Sequence, residues 1–259
     1  MIKIYGSPVD MIYFVIPVYN ESVSISRVID GLARVCGSID EDFHFITVDD
    51  GSSDGSATII SEHALNKNIS LIKFEKNRGI GEVLRAGFAE AAGKAADEDP
   101  LVFIEADGSN DPETIARMME IFRNGTDVIS ASRYMEGGAC RGFPPVRAAI
   151  SASANFLLRT CFRLPDTTDY TYFLKMYRAS VVKKAFGSMG DSLITGSGFS
   201  ANAEFFTKMC LFTDKYGQTP SIYRFLRADS DSKFDPFKEI NEFRMLIGEC
   251  RGAIRKRRV

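Results

Sequence analysis

The 259-residue sequence has no tryptophan, two histidines and five cysteines. Cys36, Cys140, Cys161, Cys210 and Cys250 are odd in number, widely spaced and form no C-x-x-C pair. That speaks against a disulfide framework and a zinc site, and fits a reducing compartment. His44 falls in a predicted strand and His63 on a predicted helix, and both read as structural. Long apolar runs are also missing. The longest, around residues 11–18, falls far short of the ~20 residues that cross a bilayer, and the first residues have no signal-peptide core. The expectation is a cytoplasmic chain that meets a membrane at most peripherally, on its cytoplasmic face. Lys+Arg 32 against Asp+Glu 34 leaves net −2, so there is no positive excess to attract nucleic acid. Neither G-x-x-x-x-G-K-[ST] nor G-x-G-x-x-G occurs, which excludes the glycine cradles that hold phosphates in P-loop and dinucleotide-binding folds.

What is there is a regular alternation. An apolar strand at 11–16, ended by Pro17, precedes a helix whose stripe is Ile25, Val28, Ile29, Leu32, Val35 and Cys36 and which stops at Gly37. Strand 43–48, helix 55–65, strand 71–74, helix 79–92, strand 101–105, helix 112–122 and strand 127–131 follow. Asp111 reads as the cap of that last helix, with Pro112 at its first position. Such alternation predicts an α/β fold with a mostly parallel sheet flanked by helices, in a single domain. Beyond Ser132 the rhythm changes to a Gly/Pro-rich stretch at 135–145, helix 146–162, strand 173–177, helices 179–186 and 201–212, and a last strand at 221–226. Ile240, Phe243, Ile247, Cys250 and Ile254 predict an amphipathic C-terminal helix that runs into Arg255, Lys256, Arg257 and Arg258.

In parallel α/β sheets, ligands bind outside the carboxyl ends of the strands. Four successive strand ends here carry polar clusters: Pro17-Val18-Tyr19-Asn20-Glu21, Asp49-Asp50-Gly51-Ser52-Ser53-Asp54-Gly55, Asn77-Arg78-Gly79-Ile80-Gly81, and Glu105-Ala106-Asp107-Gly108-Ser109-Asn110-Asp111. Each alone reads equally well as a turn or a helix cap. Together they make one acidic, glycine-lined crevice whose self-repulsion a divalent cation bridging carboxylates to a diphosphate would relieve.

In order and spacing, these motifs with Ser132-Arg133-Tyr134 resemble the family 2 glycosyltransferases of GT-A fold, and most of all the polyprenyl-phosphate branch typified by dolichol-phosphate mannosyltransferase. The resemblance implies a transferase that uses a nucleotide-diphosphate sugar. Donor binding is then expected from Pro17, Tyr19, Glu21, Asp49, Asp50, Arg78, Gly79, Glu105 and Asp107. A metal ion, Mg²⁺ or Mn²⁺, is expected at Glu105, Asp107 and Ser109, with Glu105 standing where the family has Asp. The acceptor phosphate is expected at Arg133, Arg147 and Ser151, the last two four residues apart on one helix face, and at Arg227 and Lys233. Asp166-Thr167-Thr168-Asp169-Tyr170 departs from the family's Asp-x-x-Ser-Gly pattern. The transferase domain is expected to span 1–234, with 10–131 binding the nucleotide sugar and 132–234 forming the acceptor and lid half, and 235–259 is the helical, basic extension.

Direct displacement at the anomeric carbon predicts inversion. The metal ion held by Asp107 and Glu105, with help from Arg133, would neutralise charge on the leaving diphosphate. A phosphate acceptor needs little base, whereas a saccharide hydroxyl would require Asp166 or Asp169. Three expectations follow: transfer to a polyprenyl phosphate, with the tail on an anionic membrane surface; a soluble enzyme of surface-polysaccharide synthesis acting on a saccharide; or a non-catalytic nucleotide-sugar-binding protein.

Overall fold

The computed structural model describes residues 9–162, 164, 167–198, 200–226 and 243–248. The strands are β1 (Ile12–Val18), β2 (Phe43–Asp49), β3 (Ile69–Lys73), β4 (Pro100–Phe103), β5 (Val128–Ser132), β6 (Ala139–Arg141), β7 (Lys175–Arg178), β8 (Tyr216–Pro220) and β9 (Ile222–Arg224). The helices are α1 (Ile25–Ser38), α2 (Ser56–Ser61), α3 (Ile80–Lys94), α4 (Thr114–Arg123), α5 (Pro145–Phe162), α6 (Ala179–Met189) and α7 (Ser200–Met209). Seven strands form one sheet in the order β3-β2-β1-β4-β7-β5-β8, and β6 pairs with β9 in a separate two-stranded sheet.

The sheet is buried on both faces, and β1 shows why its sequence is continuously apolar. Ile12, Phe14, Ile16 and Val18 enter the core shared with α1, α2 and α4. Tyr13 and Val15 enter the core shared with α3, α5, α6 and α7. Strand order runs outward from β1 through β2 to β3, then returns through α3 to β4 on the other side of β1. This reversal makes a topological switch point at the carboxyl ends of β1, β2 and β4, the place where such sheets bind ligands.

The structure corrects several expectations. Pro17 does not end β1, which stays in register with β2 to Val18↔Asp49. Val15 accepts Ile104 N–H on the β4 side and Val18 accepts Asp50 N–H on the β2 side. The N–H that Pro17 lacks therefore faces the β4 side, beyond the last β1–β4 pair, Val15↔Phe103, and costs no ladder bond. Helix α2 is half the expected length, since the chain turns where Leu65 N–H binds His63 Nδ1 at 3.2 Å. Helix α4 starts two residues late: Thr114 N–H bonds the Asp111 carbonyl, and no side-chain cap bond is present at its start. Strand β7 runs antiparallel to both neighbours, and strands β6 and β8 were not expected. The short helix at 243–248 lies within the expected C-terminal one, and its Leu246 is buried in the core. The rest of the expected tail helix lies outside the described residues.

Candidate active site

The ends of β1 and β2 are fastened to each other by the polar residues that the sequence offers for a ligand. Asn20 adopts a left-handed backbone, φ 56°. Its N–H donates to Ser52 Oγ at 3.0 Å, and Ser53 N–H donates to its Oδ1 at 2.9 Å. Glu21 N–H reaches Ser56 Oγ at 2.8 Å, and Glu21 Oε2 accepts the Ser24 hydroxyl at 2.8 Å. Burial acts to raise the Asp54 carboxyl, but hydrogen bonds from Ser56 and Ser22 outweigh it and hold the group at about 2. Tyr19 is half-exposed at the rim.

Asp49 and Asp50 play separate roles. Both oxygens of Asp50 are taken by the start of α3: Arg78 N–H at 2.6 Å and Gly79 N–H at 3.0 Å. That is a carboxylate against a helix N-terminus, a favourable charge–dipole contact. The Arg78 side chain is exposed and lies over the Phe74 ring at 4.7 Å. Asp49 is fully buried; its Oδ1 accepts Ser52 N–H at 3.0 Å, while its Oδ2 has no hydrogen-bond partner. A buried carboxylate oxygen without a donor is costly and marks a point where a ligand N–H or O–H would be gained.

The second carboxylate cluster follows β4. Asp107 Oδ1 accepts the N–H and the hydroxyl of Ser109, at 2.9 and 2.5 Å. The buried Ser109 hydroxyl is thus spent on orienting Asp107. Glu105 is partly buried, and Asn110 Nδ2 reaches its Oε2 at 3.4 Å. Burial first, and then the neighbouring Asp107, push the Glu105 carboxyl up to about 8. Arg133 and Glu21 also act on its titration, so three of the expected motifs converge around Glu105. Asn110 is nine-tenths buried, and its Oδ1 has no partner. Among the described residues no three His, Cys, Asp or Glu are grouped to hold a metal ion. Glu105 and Asp107 nevertheless suit Mg²⁺ or Mn²⁺, which commonly takes one or two carboxylates and completes its shell with phosphate oxygens and water. The donor set supports this fit: two carboxylates two residues apart, with, among the described residues, only a 3.4 Å side-chain contact from Asn110 on Glu105.

The third cluster is built on Arg133, just past β5. Its Nε and Nη2 fork the Asp169 carboxylate at 2.7 and 2.9 Å, and its backbone N–H adds a third bond at 3.1 Å. Nη2 also reaches Thr171 Oγ1 at 2.9 Å and Ser151 Oγ at 3.4 Å, and Tyr134 OH lies 3.0 Å from Ser151 Oγ. Burial works against the charge on both partners, but each reverses this for the other, so Arg133 is held above its usual range and Asp169 below. Asp169 is fully buried and its Oδ1 also accepts Tyr172 N–H at 3.1 Å. This leaves it no exposed lone pair with which to take a proton. Arg147 lies on α5, its side chain outside the described set, and Asp166, Arg227 and Lys233 also lie outside the described residues.

Three contributors are not singled out by the sequence as site residues. Asn110 reads as part of a turn, and the rings of Tyr172 and Tyr223, with Arg133 over them at 5.0 and 5.9 Å, read as ordinary strand aromatics. Asn110 acts on Glu105 only five positions away, whereas Tyr172 and Tyr223 meet Arg133 across long stretches of chain that no local pattern reveals.

The description "Glycosyl transferase family 2" matches residues 13–186. The chain belongs to that family. Among curated relatives of this family 2 chain, the polyprenol monophosphomannose synthase of Mycolicibacterium smegmatis is 30% identical over 187 residues, covering 71% of this chain and 68% of that protein. The undecaprenyl-phosphate 4-deoxy-4-formamido-L-arabinose transferase of Pectobacterium carotovorum is 34% identical over 170 residues, 65% of this chain and 49% of that protein. This family 2 chain thus spans about half the length of the latter relative. Both names carry a polyprenyl-type phosphate, in line with the branch that the motifs resemble. The glucosyl-3-phosphoglycerate synthase of Mycobacterium tuberculosis, solved with UDP, shares the GT-A fold with a TM-score of 0.65 at 19% identity, over 92% of this chain and 80% of that one. Its complex with Mn²⁺ and UDP-glucose gives 0.62 at 17% identity, over 95% and 79%.

Proposed function

We propose that this family 2 chain is an inverting, divalent-cation-dependent glycosyltransferase that moves a sugar from a nucleotide-diphosphate sugar to a polyprenyl phosphate. The observation that carries the reading is the polar clustering at the carboxyl ends of β1, β2 and β4, where buried Asp49 keeps one oxygen without a hydrogen-bond partner and Glu105 lies beside Asp107. Donor binding falls to residues 10–131 and acceptor binding to 132–234, with Arg147, Arg227 and Lys233 completing the acceptor side. Asp49 Oδ2 accepts from the nucleotide's base or ribose, and Tyr19 borders the same end. Glu105 and Asp107 hold the cation, which supplies charge neutralisation at the diphosphate. Ser109 fixes the Asp107 rotamer, and Asn110 fixes Glu105.

On the acceptor side Arg133, with Ser151 and Tyr134 beside it, orients the phosphate. A phosphate monoester is already anionic at neutral pH, so positioning supplies most of what the attack needs. The state of Asp169 supports this over a saccharide acceptor: its oxygens are occupied and its carboxyl is held acidic, which makes it a positioning group for Arg133 and a poor base. Among the described residues no helix is long and apolar enough to cross a membrane. For a lipid acceptor we place the contact on the cytoplasmic membrane face, assisted by the basic residues Arg255, Lys256, Arg257 and Arg258. Calorimetric titration with UDP, the nucleotide in the fold neighbours, and with GDP tests the donor half. Binding that requires Mn²⁺ or Mg²⁺ and weakens in Asp49→Asn is expected. Equal binding with and without cation would refute it.

A further inference from the structure

Lys175 is fully buried at the start of β7, opposite Ser130 of β5 in the antiparallel register. Its Nζ donates to Ser130 Oγ at 2.8 Å and approaches the Asp169 carbonyl at 3.4 Å, while Ser130 Oγ donates to the same carbonyl at 3.0 Å. The ammonium lies 4.2 Å from the Phe206 ring centroid of α7. Among the described residues no Asp or Glu stands within ion-pair distance of it. Burial pushes it down to about 7, against the opposing pull of Asp169. Burying an ammonium without a carboxylate is expensive, and a neutral hydroxyl or carboxamide would brace a carbonyl at less cost.

The brace is one of several on the same segment. Tyr170 N–H donates to Asn155 Oδ1 at 2.7 Å, and Asn202 Nδ2 donates to the Thr171 and Tyr172 carbonyls at 3.3 and 3.0 Å. What this segment presents is the Asp169 carboxylate that grips Arg133. Lys175 and Ser130 hold the backbone carbonyl of that same Asp169.

We infer that Lys175 is a positioning residue for the acceptor end of the crevice: with Ser130 it fixes the Asp169 backbone, so that the Asp169 carboxylate aims Arg133. The inference rests on the proposed acceptor role of Arg133. Steady-state kinetics of Lys175→Met and Ser130→Ala, with a short-chain polyprenyl phosphate as acceptor, test it. Because methionine fills the volume without a buried charge, Lys175→Met is expected to fold with unchanged or higher thermal stability. Its acceptor KM should rise about tenfold, the scale of coupling inside one polar network, while donor KM stays unchanged. Ser130→Ala removes the same brace with less change of volume and decides the matter should Lys175→Met fail to fold. Unchanged acceptor KM in a folded variant, or equal rises in donor and acceptor KM, would overturn the inference. Arg133→Lys separates the two levels: if it too leaves acceptor KM unchanged, the acceptor reading of Arg133 is what has failed.

Discussion

The Glu105 carboxyl gives the cation-free protein a pH dependence whose sign and size follow from its surroundings. Burial and Asp107 raise it from 4.5 to about 8. Between those values the folded chain holds a proton that the unfolded chain has lost. Stability therefore falls as pH rises through this window, by at most ~1.4 kcal/mol per pH unit. Over the whole window the ceiling is about 5 kcal/mol, and roughly half of that is expected once solvent access to the partly buried group is allowed for. The contribution is fully present below the unfolded value and gone above about 8. Glu105→Gln keeps the volume and cannot titrate. Urea unfolding in EDTA at intervals from pH 5 to pH 9 reads the difference between variant and parent, in which the other titrating groups cancel. The variant should gain on the parent steadily up to about pH 8 and then run level, and Mn²⁺ should return the lost stability to the parent alone. A difference independent of pH would refute the description of this carboxylate pair.

Asp169→Asn leaves Arg133 buried beside a neutral partner and should cost about 3–5 kcal/mol in chemical unfolding, with Arg133→Met in the same chain recovering much of it; a loss below about 1 kcal/mol would mean that the pair is solvated. Asp49→Asn should raise the KM for the nucleotide sugar about 10–100-fold, the scale of a lost hydrogen bond to a charged group, with acceptor KM unchanged. A Cβ at Gly81 would sit 2.0 Å from the Gly196 carbonyl oxygen, so Gly81→Ala should lower stability by about 1–3 kcal/mol in thermal melts although alanine favours helices. Asp107→Ala should abolish cation-dependent transfer while the fold, read by circular dichroism, is retained.

The sheet and its flanking helices were legible because they are written in local periodicity. The stripe from Ile25 to Cys36 and the all-apolar β1 each need one face, or two, buried against neighbours. Strand β8 was not legible: Tyr216-Gly217-Gln218-Thr219-Pro220 is an edge strand with neither alternation nor an apolar run. The reversed direction of β7 also has no local signature, since a strand buried on both faces has the same composition in either direction. In the site, the motifs marked the crevice but not the division of labour within it. Asp49 and Asp50 are adjacent and chemically identical, yet one keeps an oxygen unpaired and the other caps α3, a difference set by which side of β2 each carboxylate leaves. Asp169 carried the right chemistry for a base, and only its burial against Arg133 assigns it to orientation.

The proposed activity is transfer of a sugar from a nucleotide diphosphate to a lipid phosphate. The most direct measurement incubates the protein with labelled UDP-sugars and GDP-sugars, Mn²⁺ or Mg²⁺, and either a polyprenyl phosphate or a saccharide acceptor, and then partitions the products between organic solvent and water. The predicted result is label in the organic phase that requires both the cation and the polyprenyl phosphate and is absent from Asp107→Ala. Label that stays in the aqueous phase on a saccharide, with none in the lipid, would contradict the claim.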